Sequence, residues 1–300
     1  MVRKVNSSAA QLQRRGTLLV ALSGLLFGLM GFLGTQLFYL HFTVENMLFW
    51  RFLVATAWIS LGAVLSKKQM LWKTDSAMSL MKIFILSAFS YSGATAFYFL
   101  ASQHIGTGFA MVIFFSFPVF VTLLAWILGT WKMNRFSFAA LVAVISGLAL
   151  IKVSGGNVLD GAGIALAVIA ACCFAAYVYG SQHTTKNIDS RILTLLVCFG
   201  NTIIFLVLSC YTSSIVVPHS IKAWFYICSI GIIATALPIQ LLLDGLKYIS
   251  PVKASILSAL EPVVTVMVGL ILLHETISYW QSLGITIILL GAILIQFERA

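Results

Sequence analysis

The chain has 300 residues, of which 61% are hydrophobic and 9% charged, where a soluble domain is roughly half apolar and a quarter charged. This composition excludes a large soluble domain and marks an integral membrane protein. The formal charge of +10 would suggest nucleic acid in a soluble protein; here its distribution matters more, and no nucleic-acid partner is expected.

Ten apolar segments follow in order, at about 17–37, 46–65, 82–101, 108–128, 136–152, 162–181, 192–212, 223–243, 252–272 and 278–297. Each is read as a helix of bilayer length. The polar, basic stretch Met1 to Gly16 runs into the first with no small-residue cleavage site, so it reads as a retained span and not a signal peptide. Connections are short. The turn-rich Ser154-Gly155-Gly156-Asn157 divides the chain into units 1–153 and 158–300. The five cysteines, Cys172, Cys173, Cys198, Cys210 and Cys228, lie in apolar runs and are expected to be buried free thiols.

Lys and Arg set the orientation. With the N-terminus in the cytoplasm, the inner side takes Arg3, Lys4, Arg14, Arg15, Lys67, Lys68, Lys73, Lys82, Lys132, Arg135, Lys186, Arg191, Lys247, Lys253 and Arg299, 15 of the 18 basic residues. The outside keeps Lys152 and Lys222, and Arg51 sits within a span. This asymmetry is that of ten spans with both termini cytoplasmic.

A shift of 144 residues lays Pro118 on Pro262, Ile105 on Ile249, Ala110 on Ala254, Val119 on Val263, Ile127-Leu128 on Ile271-Leu272 and Gly147 on Gly291, without a gap. The chain is therefore read as two copies of one five-helix unit. Five is odd, so the second copy enters the membrane inverted, with a substrate site expected where the copies meet near the midplane.

The segment around Glu261-Pro262 organises the rest. An acid and a proline at mid-membrane depth are tolerated where they face a polar cavity. Two roles fit Glu261: a proton-coupling or cation-binding group, or a hydrogen-bonded helix-breaking element. Arg51 either meets a substrate carboxylate or serves a structural role, snorkelling outward or pairing with Glu45 or Glu275. Tyr91, Tyr98, Phe114, Tyr177 and Tyr179 are candidates to stack on a planar substrate, set against ordinary packing. Asn201, Gln240, Thr235 and Ser116 are polar mid-span groups, with Gln240 ranked first because it follows Pro238. Gly24, Gly28, Gly31 and Gly34 form a close-packing stripe on the first span. Trp50, Trp72, Trp126, Trp131, Trp224 and Trp280 form an interfacial belt. There is no CxxC, P-loop, GxSxG or zinc-protease motif, and no cofactor or metal is expected.

Phe49-Trp50-Arg51-Phe52, Phe117-Pro118-Val119, Leu260-Glu261-Pro262-Val263 and Leu273-His274-Glu275 followed by Gln281 and Gly284 together resemble the EamA-type branch of the drug/metabolite transporter superfamily. In two places the chain departs from that pattern: Trp131 stands at the first-repeat counterpart of Glu275, and His274 replaces a glycine. The resemblance implies two repeats of five helices and a carrier, not an enzyme, in a bacterial inner membrane. By the family's many efflux members the implied direction is export. Amino acids or related compounds are the expected substrates, with import of a nucleoside-like metabolite such as S-adenosylmethionine as the alternative. Coupling to protons is an open expectation.

Overall fold

The computed structural model describes residues 2–65, 77–105, 107–132, 134–152, 160–185, 188–272 and 279–294. Glu275, His274, Trp72, Lys67, Lys68, Lys73, Lys186, Arg299 and the stretch 154–157 lie outside the described residues, as does the Gln281 side chain.

The described residues are helical, with no β-strand among them. In order they form α1 (Val2–Phe27), α2 (Met30–Tyr39), α3 (Val44–Leu65), α4 (Ala77–Ile105), α5 (Thr107–Phe114), α6 (Phe117–Ile127), α7 (Arg135–Lys152), α8 (Gly161–Thr185), α9 (Ser190–Tyr211), α10 (Ile221–Gly231), α11 (Leu237–Gly245), α12 (Pro251–Ser258), α13 (Leu260–Leu272) and α14 (Tyr279–Leu294), with a π-turn, Ile232–Ala236, joining α10 to α11. Starts are set locally. Asp189, Ser220 and Ser250 accept from backbone N–H groups in the first turns of α9, α10 and α12, satisfying donors that a helix leaves open. Asn134 does the same for Phe136 and Ser137 at α7.

Six described segments are long and apolar enough to cross a membrane: Gln11–Tyr39, Val44–Leu65, Phe84–Ile105, Gly161–Gln182, Ser190–Tyr211 and Ile221–Gly245. Phe117–Ile127, Arg135–Gly147 and Ser282–Gly291 are shorter apolar helices. The expected continuous helices at 108–128 and 252–272 are each broken, into α5 and α6 and into α12 and α13. The reason is proline. Pro118 and Pro262 have no N–H and their rings crowd the preceding turn, so each falls in the first turn of a new helix. The breaks are in register: α5 ends at Phe114 and α12 at Ser258, 144 residues apart. A third break, at Gly28-Leu29, separates α1 from α2; the freed Gly28 carbonyl accepts from Thr265 Oγ1 at 3.1 Å.

The helices pair symmetrically. The main partners are α1 with α11, α4 with α8, α3 with α9 and α7 with α14. Exchanging each residue for its counterpart 144 places away turns the first pairing into the second and the last two into themselves. Phe52 stacks on Phe205 at 5.7 Å while Thr56 Oγ1 meets Thr202 Oγ1 at 3.2 Å. Numbers rise along α3 as they fall along α9, so these equivalent helices are antiparallel.

The glycine stripe packs closely. A Cβ on Gly28 would stand 2.5 Å from Val264 Cβ, and one on Gly31 would lie 3.5 Å from Thr265 Cγ2, so α1 and α2 press on α13. The thiols differ from expectation. Only Cys198 is buried; Cys172, Cys210 and Cys228 are exposed and Cys173 is half-buried, all free. An apolar run in a membrane bundle faces lipid as often as interior, so apolar sequence context does not by itself bury a thiol. Lys253, expected on a cytoplasmic loop, is buried at the start of α12.

Candidate functional site

At the centre of the bundle lies Arg51, 1% exposed on α3. A charged side chain at this depth costs about 2.5–3.5 kcal/mol to insert on biological scales, so its surroundings must compensate. The guanidinium does not snorkel to the surface, nor does it pair with Glu45. Its Nε donates to Thr235 Oγ1 at 2.6 Å, and Thr235 in turn donates to the Ile230 carbonyl at 2.7 Å. Phe52 lies beneath it, with Arg51 Cζ 5.0 Å from the ring centroid, a cation–π contact. The Tyr91 hydroxyl is within hydrogen-bonding reach from α4, and Cys198 and Glu261 are within electrostatic range. Arg51 Nη1 has no hydrogen-bond partner among the described residues.

Glu261, half-buried in the first turn of α13, is also within electrostatic range of Tyr91 and Tyr98. Acid and base are near but not joined: among the described residues the ion pairs are His104–Asp160 and Lys247–Asp244. Base and acid thus share one interior region. Their counterparts 144 residues away are apolar, Leu195 for Arg51 and Phe117 for Glu261, so the charged lining is made once.

An aromatic cluster adjoins these groups. Tyr91 meets Tyr177 edge-on at 4.9 Å, and Phe174 at 6.0 Å. Phe114 contacts Tyr98 at 5.4 Å, Phe174 at 5.4 Å and Phe117 at 5.8 Å. Of the residues singled out from sequence, Tyr91, Tyr98, Phe114, Tyr177, Glu261 and Arg51 converge here. Pro118 and Pro262 set the helix breaks beside them. Asn201 is buried on α9 one turn beyond Cys198; its Nδ2 donates to the Val197 carbonyl and its Oδ1 has no partner among the described residues. Tyr179 does not join the group. Its hydroxyl bonds Thr130 Oγ1 at 2.9 Å, beyond the end of α6. Gln240 is half-buried on α11, and the residue near Pro238 that reaches the centre is Thr235. The proline in mid-span was the available signal; which neighbour it turns inward is decided by the π-turn. No three His, Cys, Asp or Glu side chains among the described residues converge to hold a metal ion.

The comparisons agree with this architecture. The EamA-like transporter family matches residues 14–153 and again 161–297. A Bacillus subtilis protein described as uncharacterized transporter YxxF is 25% identical over 289 residues, 93% of this chain and 89% of its own. Another from the same organism, uncharacterized transporter YwfM, is 27% identical over 203 residues, 66% of this chain and 68% of its own. A solved crystal structure at 14% identity shares the fold with a TM-score of 0.78, over 93% of this chain and 96% of that one. With the family matched along nearly the whole chain, this is a multi-pass membrane transporter of small molecules, not an enzyme, and it belongs to the EamA-like transporter family.

Proposed function

We propose that the protein is a secondary carrier with ten spans, built as two inverted five-helix units, 1–153 and 158–300, that rock around the central site. The antiparallel course of equivalent helices and the matched breaks before Pro118 and Pro262 support inversion. Two units of opposite sense around one site give alternating access. The charge distribution supports cytoplasmic termini, in a bacterial inner membrane.

The substrates are amino acids or related amphipathic metabolites, and the direction is export. One observation carries the substrate class: a buried guanidinium whose Nη1 has no partner among the described residues, a carboxylate near but not paired with it, and an aromatic cluster beside them. A zwitterion with an apolar side chain meets all three, its carboxylate on Arg51 and its ammonium on Glu261.

The test is counterflow in proteoliposomes with a panel of labelled amino acids. Accumulation of apolar or aromatic members against an unlabelled internal pool is expected. Absence of amino-acid counterflow, alongside uptake of a nucleoside-like compound such as S-adenosylmethionine, would reject this substrate class for the alternative.

A further inference from the structure

Thr235 and Tyr91 stand 144 residues apart, at equivalent places in the two units, and both address the same guanidinium. Thr235 holds Arg51 Nε from the π-turn, and Tyr91 approaches from α4. Both are buried, as is Arg51. The Phe52 ring, stacked on Phe205, closes a third side. A guanidinium held in this way has its donor plane fixed, and Nη1 is left without a partner among the described residues.

The π-turn makes this possible. Pro238 has no N–H for the Ala234 carbonyl and its ring crowds the turn before it. The chain accommodates it by widening, so that Leu237 N–H reaches Ile232 O, five residues back. Within that turn the Thr235 hydroxyl donates to Ile230, also five residues back. Its proton is thereby committed, and it faces Arg51 only as an acceptor. Gly231 lets the segment approach, since a Cβ there would stand 2.8 Å from Val54 Cγ1 and 2.9 Å from the Arg51 carbonyl oxygen. The arrangement is not repeated in the other half, where Leu195 takes the place of arginine.

We propose that Thr235 is a positioning residue: with Tyr91 as its opposing support, it orients Arg51 so that Nη1 is presented to a planar anionic group, and so makes the site select a carboxylate over the isosteric neutral amide. This rests on the reading of the central region as the transport site.

The experiment compares L-phenylalanine with L-phenylalaninamide, which keeps the ring and the ammonium and loses the carboxylate. Each is titrated against the full-length protein in detergent, with ligand-induced thermal stabilisation as the readout. The wild type is expected to respond to phenylalanine at about tenfold lower concentration or less, the effect of one charged hydrogen bond. Thr235→Val is expected to bring that ratio close to one by weakening phenylalanine alone. Thr235→Ser, which keeps the hydroxyl, restores it. Loss of both ligands in equal measure in Thr235→Val would show a structural role only and overturn the proposal. Arg51→Gln separates the two possible failures. If it abolishes the preference and Thr235→Val does not, the site stands and the positioning role falls. If neither variant alters the preference, or the wild type shows none, the carboxylate is not read at Arg51 and the site reading falls as well.

Discussion

Gly147 on α7 and Gly291 on α14 are reciprocal contacts. A Cβ on Gly147 would meet the Gly284 carbonyl oxygen at 2.7 Å and Ile288 Cγ1 at 2.7 Å, and one on Gly291 would meet the Ala140 carbonyl oxygen at 3.1 Å and Val144 Cγ2 at 3.4 Å. Gly147 and Gly291 are 144 residues apart, and so are Ala140 and Gly284, and Val144 and Ile288. The contact therefore maps onto itself, and its numbers run oppositely along the two antiparallel helices. Close approach of small residues is how membrane helices gain packing energy where lipid supplies no hydrophobic drive.

The reciprocity is not perfect, and the difference is testable. Gly147→Ala brings a methyl against backbone at a distance real Cβ atoms do not adopt, whereas Gly291→Ala is merely tight. Gly147→Ala is expected to destabilise the protein by about 1–3 kcal/mol, the usual cost of overpacking, and Gly291→Ala by less. Unfolding in detergent measures both. Equal stability of Gly147→Ala and wild type would remove the α7–α14 seam from the account.

Thr265 ties the broken first span to α13 through the Gly28 carbonyl, and also donates to the Glu261 carbonyl. Interhelical hydrogen bonds of this kind contribute about 0.6 kcal/mol on average. Thr265→Val should cost roughly that amount. Gly28→Ala should cost more, because its methyl would collide with Val264. The opposite ranking would mean that the hydrogen bond, not close packing, holds the two segments together.

Glu261 is proposed as the proton-coupling group. Glu261→Gln is expected to weaken amino-acid counterflow, because the ammonium loses its carboxylate, and to abolish the acceleration of the remaining flux by an imposed pH gradient, measured in the same proteoliposomes. Retained pH-gradient drive would return Glu261 to a helix-breaking role beside Pro262.

A tie at the end of α4 and start of α8 gives a pH prediction outside the spans. Backbone N–H donation from Ala162, and then His104 at 2.7 Å, hold the Asp160 carboxyl below the ordinary carboxylate range. A depressed folded-state pKa contributes stability above the unfolded value, near 4, that is lost as pH falls through the lower folded value. On acidification from pH 6 to pH 3 the melting temperature of wild type should fall further than that of Asp160→Asn. Parallel curves would show that the contact adds nothing.

The membrane class, the all-helical character and the two-repeat pattern were legible in the sequence, because hydropathy and a gapless 144-residue offset survive without knowledge of contacts. So was the pairing of Pro118 with Pro262. Cys172, Cys210 and Cys228 were misplaced because sequence hydropathy does not distinguish lipid from protein interior. Tyr179 looked equivalent to Tyr177 two residues away, yet in a helix that spacing turns a side chain by about 200°, and its hydroxyl went to Thr130.

What the chain determined by itself is that it must lie in a membrane as helices and that its halves are alike, since composition and periodicity are properties of the polymer. That Thr235 and Tyr91 hold the Arg51 guanidinium and leave Nη1 without a partner among the described residues was decided by the tertiary structure. Those contacts join residues 40 and 184 places apart, and they exist only once α3, α4 and the π-turn have packed together.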